Sequence, residues 1–536
     1  MQGFLAVRSI PGRCLLRAVT VAALALFLGA CSSLPTDYPR SESHAFADTA
    51  ATRLGRGFGA QAAQHPGQSG VVVLGRGTDA FVARLVLAEL AEKSLDVQYY
   101  IWHDDTTGKL LIGALLRAAE RGVRVRLLLD DVGTAADDMA LLMLDAHPNI
   151  EVRLFNPLAG RGARNLSLVA DFERTNRRMH NKSFTADNQA AIVGGRNIGD
   201  EYFEARADVA FADLDVMVNG PVVGQVSTGF DRYWNSPAVF PIAALSDMRP
   251  DAADLAATRA ALADFTRSQQ ATPYAEALKA SRLAQSLREG MLAASYGLGR
   301  VVYDDPAKAA GSVDKESLLL PQMAPEFEAL RSELLLVSPY FVPGEAGVAK
   351  LRALRERGIR VRVVTNSLAA TDVPMVHSGY ARYRRPLLEA GIELHEVKPT
   401  AVLADAKREE KRERSEGAAH RVSGSSRASL HAMTQVFDRR ALFVGSLNLD
   451  PRSVFTNTET GVVIDNPPLV DEMLQALDRQ LPALAYRVML LPDGELEWLD
   501  IAEGGKEVRH RREPETGAWQ RIKVWFYSLW PLEPLL

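Results

Sequence analysis

The sequence predicts an α/β protein made of two similar halves. One observation is a repeated order of elements: SLDVQYYIW (94–102) and ELLLVSPYF (333–341) have the composition of buried strands, and each precedes a helical segment. The other is a repeated sequence, because ALLRAAERGVRVRLLLDD (114–131) and LRALRERGIRVRVVTNS (351–367) both have the pattern helix, glycine turn, strand. Strand, helix and strand in succession form a βαβ unit with parallel strands. We therefore expect two related halves within the 536 residues.

A second repeat carries chemically useful side chains. HNKSFTADNQAAIVGGRN (180–197) and HAMTQVFDRRALFVGSLN (431–448) follow nearly the same plan of two short strands and a turn. Alternate residues of a strand point to the same side, so His180 and Lys182 are predicted to face one space. The returning strand brings Asn197 back to the same end. A single histidine of this kind is usually structural, but two copies on matched hairpins favour a functional role.

Composition limits the class of protein. The chain has 47% hydrophobic and 24% charged residues, which is typical of a globular protein. Its 62 basic and 66 acidic residues give a net charge of -4, so the sequence predicts no nucleic-acid partner. Cys14 and Cys31 are the two cysteines, which excludes a disulfide framework and a cysteine-based metal site. No His, Asp and Glu spacing indicates a metal, and we expect no cofactor.

The first 31 residues have the pattern of a secretory signal. Arg8, Arg13 and Arg17 precede the apolar run AVTVAALALFLGA, and small residues lead to Cys31. LGAC (28–31) resembles a bacterial lipobox, in which the cysteine is acylated and becomes the mature N-terminus. We therefore predict a protein of the bacterial cell envelope, lipid-anchored at Cys31 on the periplasmic side. The alternative is an uncleaved transmembrane anchor.

Ser32 follows this cysteine, where lipoproteins of the inner membrane commonly have aspartate, so the sequence favours the outer membrane. The predicted organisation has six parts: a signal over 1–31, a linker over 32–70, a first half over 71–235, a helical connection over 236–325, a second half over 326–485 with a charged loop at 404–427, and an aromatic tail over 486–536. The charged loop is either a solvated surface or a lid that meets anionic headgroups. The aromatic tail either anchors at a bilayer interface or covers the core of its domain.

Two histidines from two related halves suit phosphodiester chemistry if the halves pack about a pseudo-twofold axis. His180 and His431 would then meet in one cleft. One imidazole would attack phosphorus, while the other would protonate the departing alkoxide and then activate a second alcohol or water. The residues alone leave open which histidine has which role.

Other side chains would complete the site. Lys182, Asn197 and Asn448 are expected to stabilise negative charge on the phosphate oxygens. Each histidine also needs an acid on its other ring nitrogen. For these acids FADLDVMV (211–218) offers Asp213 or Asp215, and TNTETGVVI (456–464) offers Glu459. The predicted substrate-binding residues are Asn197, Asn448, Asp213 and Glu459.

These segments carry a family resemblance. H-N-K-x4-D with GGRN, and H-x-x-x4-D with GSLN, resemble the paired HKD motifs of the phospholipase D superfamily. SLDVQYYIW, YDDP (303–306), TNSLAATDVPMVHSGYARYR (365–384) and NLDPRS (448–453) are more specific and resemble the C-type bacterial cardiolipin synthases. The resemblance covers nearly the whole mature chain. It implies two phospholipase D-like halves, each a mixed β-sheet flanked by helices.

The resemblance also implies an activity. A phosphatidyl group would pass through a phosphohistidine to the hydroxyl of a second phospholipid, with His180 as nucleophile and His431 as acid and base. Lys182, Asp187 and Asp438 complete the implied catalytic set. The implied partners are phosphatidylglycerol or phosphatidylethanolamine and the membrane surface.

Met433 departs from the family pattern, because it stands where the second motif has lysine. Methionine lacks both the charge and a strong donor. By analogy with oxyanion donors, this loss costs about 2–4 kcal/mol of transition-state stabilisation, or roughly 30- to 1,000-fold in rate. Two alternatives stay open: a phospholipase D-type hydrolase of phospholipids or other phosphodiesters, and a non-catalytic lipid-binding lipoprotein.

Overall fold

The computed structural model of the protein describes residues 33–134, 137–206, 209–270, 272–311, 313–399, 427–502 and 505–530. The predicted signal with Cys31 and the charged segment up to residue 426 lie outside the described residues. Among the described residues, no helix combines the length and the apolar character needed to cross a bilayer.

The strands are β1 Ser69–Leu74, β2 Ser94–Tyr99, β3 Arg124–Asp130, β4 Ile150–Phe155, β5 Ser183–Ala186, β6 Ala190–Gly194, β7 Val209–Ala212, β8 Asp215–Asn219, β9 Val239–Pro241, β10 Ser295–Tyr303, β11 Glu333–Val337, β12 Arg360–Asn366, β13 Glu393–Val397, β14 Arg427–Leu430, β15 Met433–Phe437, β16 Ala441–Gly445, β17 Thr460–Asp465, β18 Ala485–Leu490, β19 Leu496–Ile501 and β20 Glu507–His510.

The α-helices are Arg53–Ala62, Gly77–Leu90, Thr106–Glu120, Asp138–Asp145, Arg164–Ala170, Phe172–Thr175, Pro221–Trp234, Ile242–Leu245, Ala252–Gln269, Pro273–Lys279, Arg282–Arg288, Leu319–Gln322, Ala324–Ala329, Gly344–Glu356, Pro374–Ala381, Arg384–Glu389, Pro451–Phe455, Pro467–Leu484 and Ala518–Ser528. Short 3-10 helices cover Arg161–Ala163, Asp200–Tyr202, Pro306–Ala310 and Lys315–Ser317.

One continuous mixed sheet runs through both halves. Its strand order is β9-β4-β3-β2-β5-β6-β8-β1-β10-β17-β16-β15-β11-β12-β13-β18-β19-β20. The order from β4 to β1 is repeated in reverse from β10 to β13, and the two copies meet at the antiparallel pair β1–β10. The predicted α/β fold of two similar halves about a pseudo-twofold axis is confirmed.

The repeated ERG sequence explains the matching βαβ units. Helices Thr106–Glu120 and Gly344–Glu356 end just before Gly122 and Gly358, whose φ angles are 94° and 83°. Glycine adopts this left-handed conformation without a steric penalty, so the chain can turn at once into β3 or β12. Both strands then pair in parallel with the strand before the helix.

Apolar clusters among the described residues hold the architecture together. One lies in the first half and another in the second half. A third combines side chains of both halves, among them Val193 of β6 and Val444 of β16. Burial of apolar surface is the main driving force for packing, so the two halves share a core instead of meeting as separate domains.

The structure differs from the predicted boundaries in three places. The predicted linker contains the helix Arg53–Ala62, which buries Leu54 and Phe58. The predicted helical connection contains the strand β10, where Gly297 and Gly299 weaken the strand pattern of the sequence. The predicted aromatic tail contributes β18, β19 and β20 to the sheet before its helix begins.

Candidate active site

The two histidine segments are hairpins with the same turn. Asp187 and Asn188 both have φ near 52°, and Asp438 and Arg439 have φ of 52° and 54°. Two consecutive residues with positive φ form the tight turn that suits the twist of a two-residue hairpin. The turns join β5 to β6 and β15 to β16. Both histidines therefore lie at the opposite end of their hairpins from the turn.

Short pairings between the halves position the histidines. β14 runs parallel to β7 with Leu430 opposite Ala212, and the N–H of His431 donates to the carbonyl of Ala212 at 2.8 Å. On the other side, Met179 bridges Thr458, and the N–H of His180 donates to the carbonyl of Thr458 at 2.9 Å. Each histidine is therefore hydrogen-bonded to a residue of the other half, and it lies beside the residue that follows this one in the sequence.

Those following residues are the two predicted acids. His431 Nδ1 lies 2.7 Å from Asp213 Oδ2, and His180 Nδ1 lies 2.9 Å from Glu459 Oε2. Each histidine thus takes its acid from the other half. The histidine side chains are 9% and 10% exposed, whereas both acids are completely buried. The pairs therefore leave only the other edge of each imidazole to face a substrate.

The surroundings of His180 fix its tautomer. Its Nδ1 faces two acceptors, the carboxylate of Glu459 and, at 3.0 Å, the carbonyl of Ser446. The Nδ1 atom therefore carries the proton, and Nε2 keeps its lone pair. Burial lowers the pKa of His180; Glu459 opposes this, while Lys182 and His431 lower the pKa further. The neutral form of the His180 ring is therefore favoured.

Lys182 is the buried cation of the site. Its side chain is 1% exposed, its Nζ donates to the carbonyl of His180 at 2.5 Å, and it lies 5.6 Å from the centre of the Tyr100 ring. Burial lowers the pKa of Lys182 to about 7, although Glu459 and Asp213 raise it. An anionic phosphate would favour the charged form of this side chain.

Met433 occupies the matching place in the second half. It is 1% exposed, and its methyl group lies close to Gly195, where an added Cβ would be 2.7 Å from Met433 Cε and 2.2 Å from Asp213 Oδ1. The residue of the second half that matches Gly195 is Ser446, whose hydroxyl donates to Glu459. The surroundings of the two acids therefore differ. Glu459 has the hydroxyl of Ser446 and the side chain of Lys182 near it, whereas Asp213 has Gly195 and Met433.

The two predicted asparagines have different surroundings. Asn197 is completely buried; its Oδ1 accepts from the N–H of Ile101 at 3.1 Å, and its Nδ2 donates to the hydroxyl of Tyr202 at 3.0 Å. Asn448 is 4% exposed, and its Oδ1 has no hydrogen-bond partner among the described residues. The side chain of Asn197 is therefore committed to the protein, whereas that of Asn448 is available to a ligand.

The two aspartates of the motifs, which the resemblance places in the catalytic set, lie at the hairpin turns. The carboxylate of Asp187 accepts hydrogen bonds from the backbone N–H groups of Glu92, Lys93 and Ser94 at 2.7–3.2 Å. Asp438 does the same for residues 331–333 before β11. Both side chains sit at the hairpin turns, away from the histidines, and bind the start of the neighbouring strand. Their role is to hold the hairpin in register.

The structure also decides between the two candidate acids before β8. Asp213 precedes the strand and pairs with His431, whereas Asp215 Oδ2 accepts from Arg84 Nη2 at 2.8 Å inside the first half. Both partners of that ion pair are almost fully buried. Asp215 therefore has a structural role.

Sequence reasoning missed two aromatic residues of the site. The ring of Tyr100 meets His180 edge to face at 5.2 Å, and the ring of Tyr202 meets His431 in the same way at 5.2 Å. Tyr100 is part of the strand-like SLDVQYYIW segment, where two consecutive tyrosines must face opposite sides. That alternation is the signal that one of them reaches the site. Tyr202 has no comparable signal.

One further group has possible metal ligands. His103, Asp105 and Glu201 bring ligand atoms within 4.8 Å of one another. Asp105 caps the helix Thr106–Glu120 through Gly108 and accepts from the N–H of Asp200, while His103 lies 3.1 Å from Glu201. Helix capping and an ion pair account for this geometry. His180 and His431, in contrast, each lie beside one carboxylate.

The arrangement suits a displacement at phosphorus in which one histidine attacks and the other transfers the proton. A neutral imidazole with a free Nε2, a second imidazole held by a carboxylate and a buried ammonium group surround one space. Such a set can supply a nucleophile, a proton donor and charge stabilisation without solvent reorganisation.

Comparisons with known proteins agree with this geometry. The family model described as "Cardiolipin synthase, PLD-like domain" matches residues 86–234 and 326–481, which together are more than half of the chain. Cardiolipin synthase C of Escherichia coli (strain K12) is 44% identical over 475 residues, covering 88% of this chain and 97% of that protein. An uncharacterized protein of Helicobacter pylori (strain ATCC 700392 / 26695) is 30% identical over 93% of this chain and 96% of its own length.

A solved structure supports the same fold. Phosphatidylserine synthase of Haemophilus influenzae Rd KW20 superposes with a TM-score of 0.54 at 14% identity, covering 87% of this chain and 95% of that chain. At this identity the likeness concerns the fold. The two sequence matches, taken with the paired histidine hairpins, show that this chain belongs to the cardiolipin synthase, PLD-like domain family of the phospholipase D superfamily.

Proposed function

We propose that the protein forms cardiolipin from two phospholipids through a phosphohistidine on His180, with His431 as the acid and base. The enzyme class, a phospholipase D-like phosphatidyltransferase, follows from 44% identity to a cardiolipin synthase over most of the chain. The observation that carries the finer proposal is the pair of crossed contacts, His180 with Glu459 and His431 with Asp213. They provide two prepared imidazoles in one buried site.

The proposed first step is attack of His180 Nε2 on the phosphorus of a phospholipid. The bond from phosphorus to the headgroup oxygen breaks, and protonated His431 gives its proton to that oxygen. In the second step His431 removes the proton from a hydroxyl of the second phospholipid. That oxygen attacks phosphorus, the P–N bond breaks, and His180 returns as neutral imidazole.

The neutral tautomer of His180 supports its role as nucleophile. Its Nδ1 proton is shared between two acceptors, and the resulting electron density favours attack by Nε2. Lys182 would stabilise the charge on the phosphoryl oxygens, and the Nδ2 group of Asn448 would donate to them if the substrate lies beside it. Met433 contributes no charge, which supports a slower turnover than a site with two lysines would give.

We also propose that the protein acts in the cell envelope, anchored by acyl chains on Cys31, with phosphatidylglycerol or phosphatidylethanolamine as the phosphatidyl donor. Acylation stabilises membrane attachment by about 0.8 kcal/mol per buried CH₂ group. Cys31→Ser should no longer incorporate labelled palmitate and should leave the membrane fraction more readily. A variant that labels and fractionates like the parent would exclude the lipobox.

The activity is tested with headgroup-labelled phosphatidylglycerol and the purified protein. Cardiolipin with released glycerol supports the proposal, phosphatidic acid indicates a hydrolase, and the absence of product indicates a lipid-binding scaffold. Acid quenching and mass spectrometry then locate the covalent intermediate. His180→Ala should abolish the adduct, whereas His431→Asn should let it persist; an adduct on His431 would reverse the two roles.

A further inference from the structure

The C-terminal helix Ala518–Ser528 has an apolar face that no described residue covers. Its exposed side chains, with their exposed fractions, are Trp519 78%, Ile522 50%, Trp525 62%, Phe526 52%, Leu529 60% and, just beyond the helix, Trp530 57%. At about 100° per residue these positions fall within an arc about 140° wide. Val524, on the opposite side of the helix, is 7% exposed. The helix therefore packs on the protein with one face and exposes six large apolar groups on the other.

The charges around this face suit an anionic lipid surface. Residues 516–530 contain no aspartate or glutamate, and the basic residues among them are Arg521 and Lys523. By the same helical geometry these two flank the apolar arc, one at each edge. Tryptophan with basic neighbours is typical of helices that lie in the interface of a bilayer. A face made to bind a second protein copy would not need this cationic border.

The helix contacts a segment that is linked to the strand before His431. Gln520 Nε2, near its start, donates to the carbonyl of Leu368 at 2.8 Å. Leu368 comes two residues after Asn366, whose side chain exchanges hydrogen bonds of 2.9 and 2.8 Å with the backbone of Leu430. Leu430 immediately precedes His431. Two sets of hydrogen bonds, joined by a two-residue step along the chain, therefore link the helix to the residue before His431.

Another exposed aromatic side chain lies near the other histidine. Phe455 ends the helix Pro451–Phe455 and is 66% exposed. It lies three residues before Thr458, whose carbonyl accepts from the N–H of His180 at 2.9 Å. The segments that border the site therefore carry exposed apolar groups on both sides.

We propose that the apolar face of helix Ala518–Ser528 inserts into the interface of a phospholipid bilayer and holds the mouth of the catalytic site against the headgroups. The inference rests on the proposed function only for the identity of the substrate. It gives the protein a second membrane contact besides the proposed acyl anchor. This contact sets the orientation of the protein, which an acyl chain at the end of the polypeptide does not do.

Insertion is measured directly by fluorescence. The full chain is reconstituted into phosphatidylglycerol and phosphatidylethanolamine vesicles that carry brominated acyl chains, which quench nearby tryptophan. We expect quenching of the parent and at least about threefold less in the triple variant Trp519→Phe, Trp525→Phe, Trp530→Phe, because Trp102, Trp234 and Trp498 are buried. Equal quenching in both proteins, or none in the parent, would overturn the proposal.

A matched pair of variants tests the consequence for catalysis. Trp525→Glu with Phe526→Glu should lower turnover on vesicles at least about tenfold and leave turnover on dispersed short-chain phospholipid unchanged. The control is Met291→Glu with Leu298→Glu, since these residues are 66% and 61% exposed outside the proposed face. Equal loss in both pairs contradicts the docking surface.

The two hypotheses can fail separately. If the parent has no transferase activity on either substrate, the proposed function fails, while the quenching still decides whether the helix inserts. If the parent forms a dimer in solution that Trp525→Glu with Phe526→Glu dissociates, the face is a contact between copies and the bilayer proposal is wrong.

Discussion

His180 Nδ1 lies 2.9 Å from Oε2 of Glu459, a residue 279 positions later in the chain that belongs to the other half. The pseudo-twofold counterpart joins His431 to Asp213, 218 positions earlier. Neither half therefore contains a complete histidine–acid pair. The shared apolar core and the parallel pairing of β7 with β14 hold the two pairs in one site. The catalytic unit is the folded whole, and not a duplicated domain with two independent sites.

The first prediction concerns these acids. Glu459→Gln and Asp213→Asn should each lower kcat by about 10²- to 10⁴-fold, because an amide neither stabilises an imidazolium nor enforces the correct tautomer. Steady-state rates on labelled phosphatidylglycerol measure the loss. Ser446→Ala is the matched control: it removes one hydrogen bond to Glu459 but keeps the carboxylate, so its rate should fall much less. Equal losses in Ser446→Ala and Glu459→Gln would contradict a special role of the charge.

The second prediction concerns the motif aspartates Asp187 and Asp438. It distinguishes a contribution to stability from a contribution to kcat. Asp187→Asn should lower the free energy of unfolding by about 1–3 kcal/mol, since the charged acceptor of three backbone N–H groups is lost. Asp438→Asn should have a smaller effect, because Asp187 is completely buried and Asp438 is partly exposed. The folded fraction of either variant should keep the parent kcat. Denaturant melts and active-site-normalised rates test this, and a large loss of kcat in fully folded protein would return the aspartates to the catalytic set.

The sequence predicted the fold because the repeated ERG segments fix the same helix, turn and strand in both halves. It also singled out the two histidines, since they recur on matched hairpins, although His180 and Lys182 precede β5 instead of lying within it. It did not predict that each acid comes from the opposite half, because that depends on packing between segments more than 200 residues apart. β10 was missed since its two glycines give little strand signal, although Gly297 allows the close approach of the Asp465 carbonyl. The hydrogen bonds of Asp187 to the start of β2 could not be predicted, because a motif gives residue identity and not the partners of a side chain.

The third prediction follows from the burial of Lys182. Burial lowers its pKa from 10.5 to about 7, so between these values the unfolded chain binds a proton that the folded chain does not. Stability therefore rises with pH across this window, and below pH 7 the folded protein carries the full cost of the buried charge. Lys182→Met should raise the free energy of unfolding most below pH 7, by a few kcal/mol at about 1.4 kcal/mol per pKa unit, and less as the pH rises to 9.

The same variant should lower kcat by about 30- to 1,000-fold at the pH values where the bound phosphate keeps Lys182 protonated, because the charge stabilises the phosphoryl oxygens. Thermal melts at pH 6 to 9 and parallel rate measurements give both quantities. A Lys182→Met protein with a melting-temperature gain that does not depend on pH would show that packing, and not charge, is responsible. An unchanged rate would remove Lys182 from the catalytic machinery.

The last prediction concerns Met433, which occupies the place of Lys182 in the other half. Met433→Lys should raise activity, mainly in kcat, because a cation stabilises the charge that builds up on the phosphoryl oxygens more than the charge already present in the ground state. The structure adds a reason for the variant to fold. The methyl group of Met433 lies in the same confined space beside Gly195 as Asp213 Oδ1, so a buried carboxylate is close to the introduced ammonium group.

The control is Met433→Leu, which keeps the site apolar and should leave both rate and melting temperature near those of the parent. Turnover and melting of the three proteins are compared side by side. A lysine variant that folds as well as the parent but is no faster would show that the second half no longer needs a cation. If instead Met433→Lys draws Asp213 away from His431, its rate should fall below that of Met433→Leu, and the pH dependence of kcat should change with it.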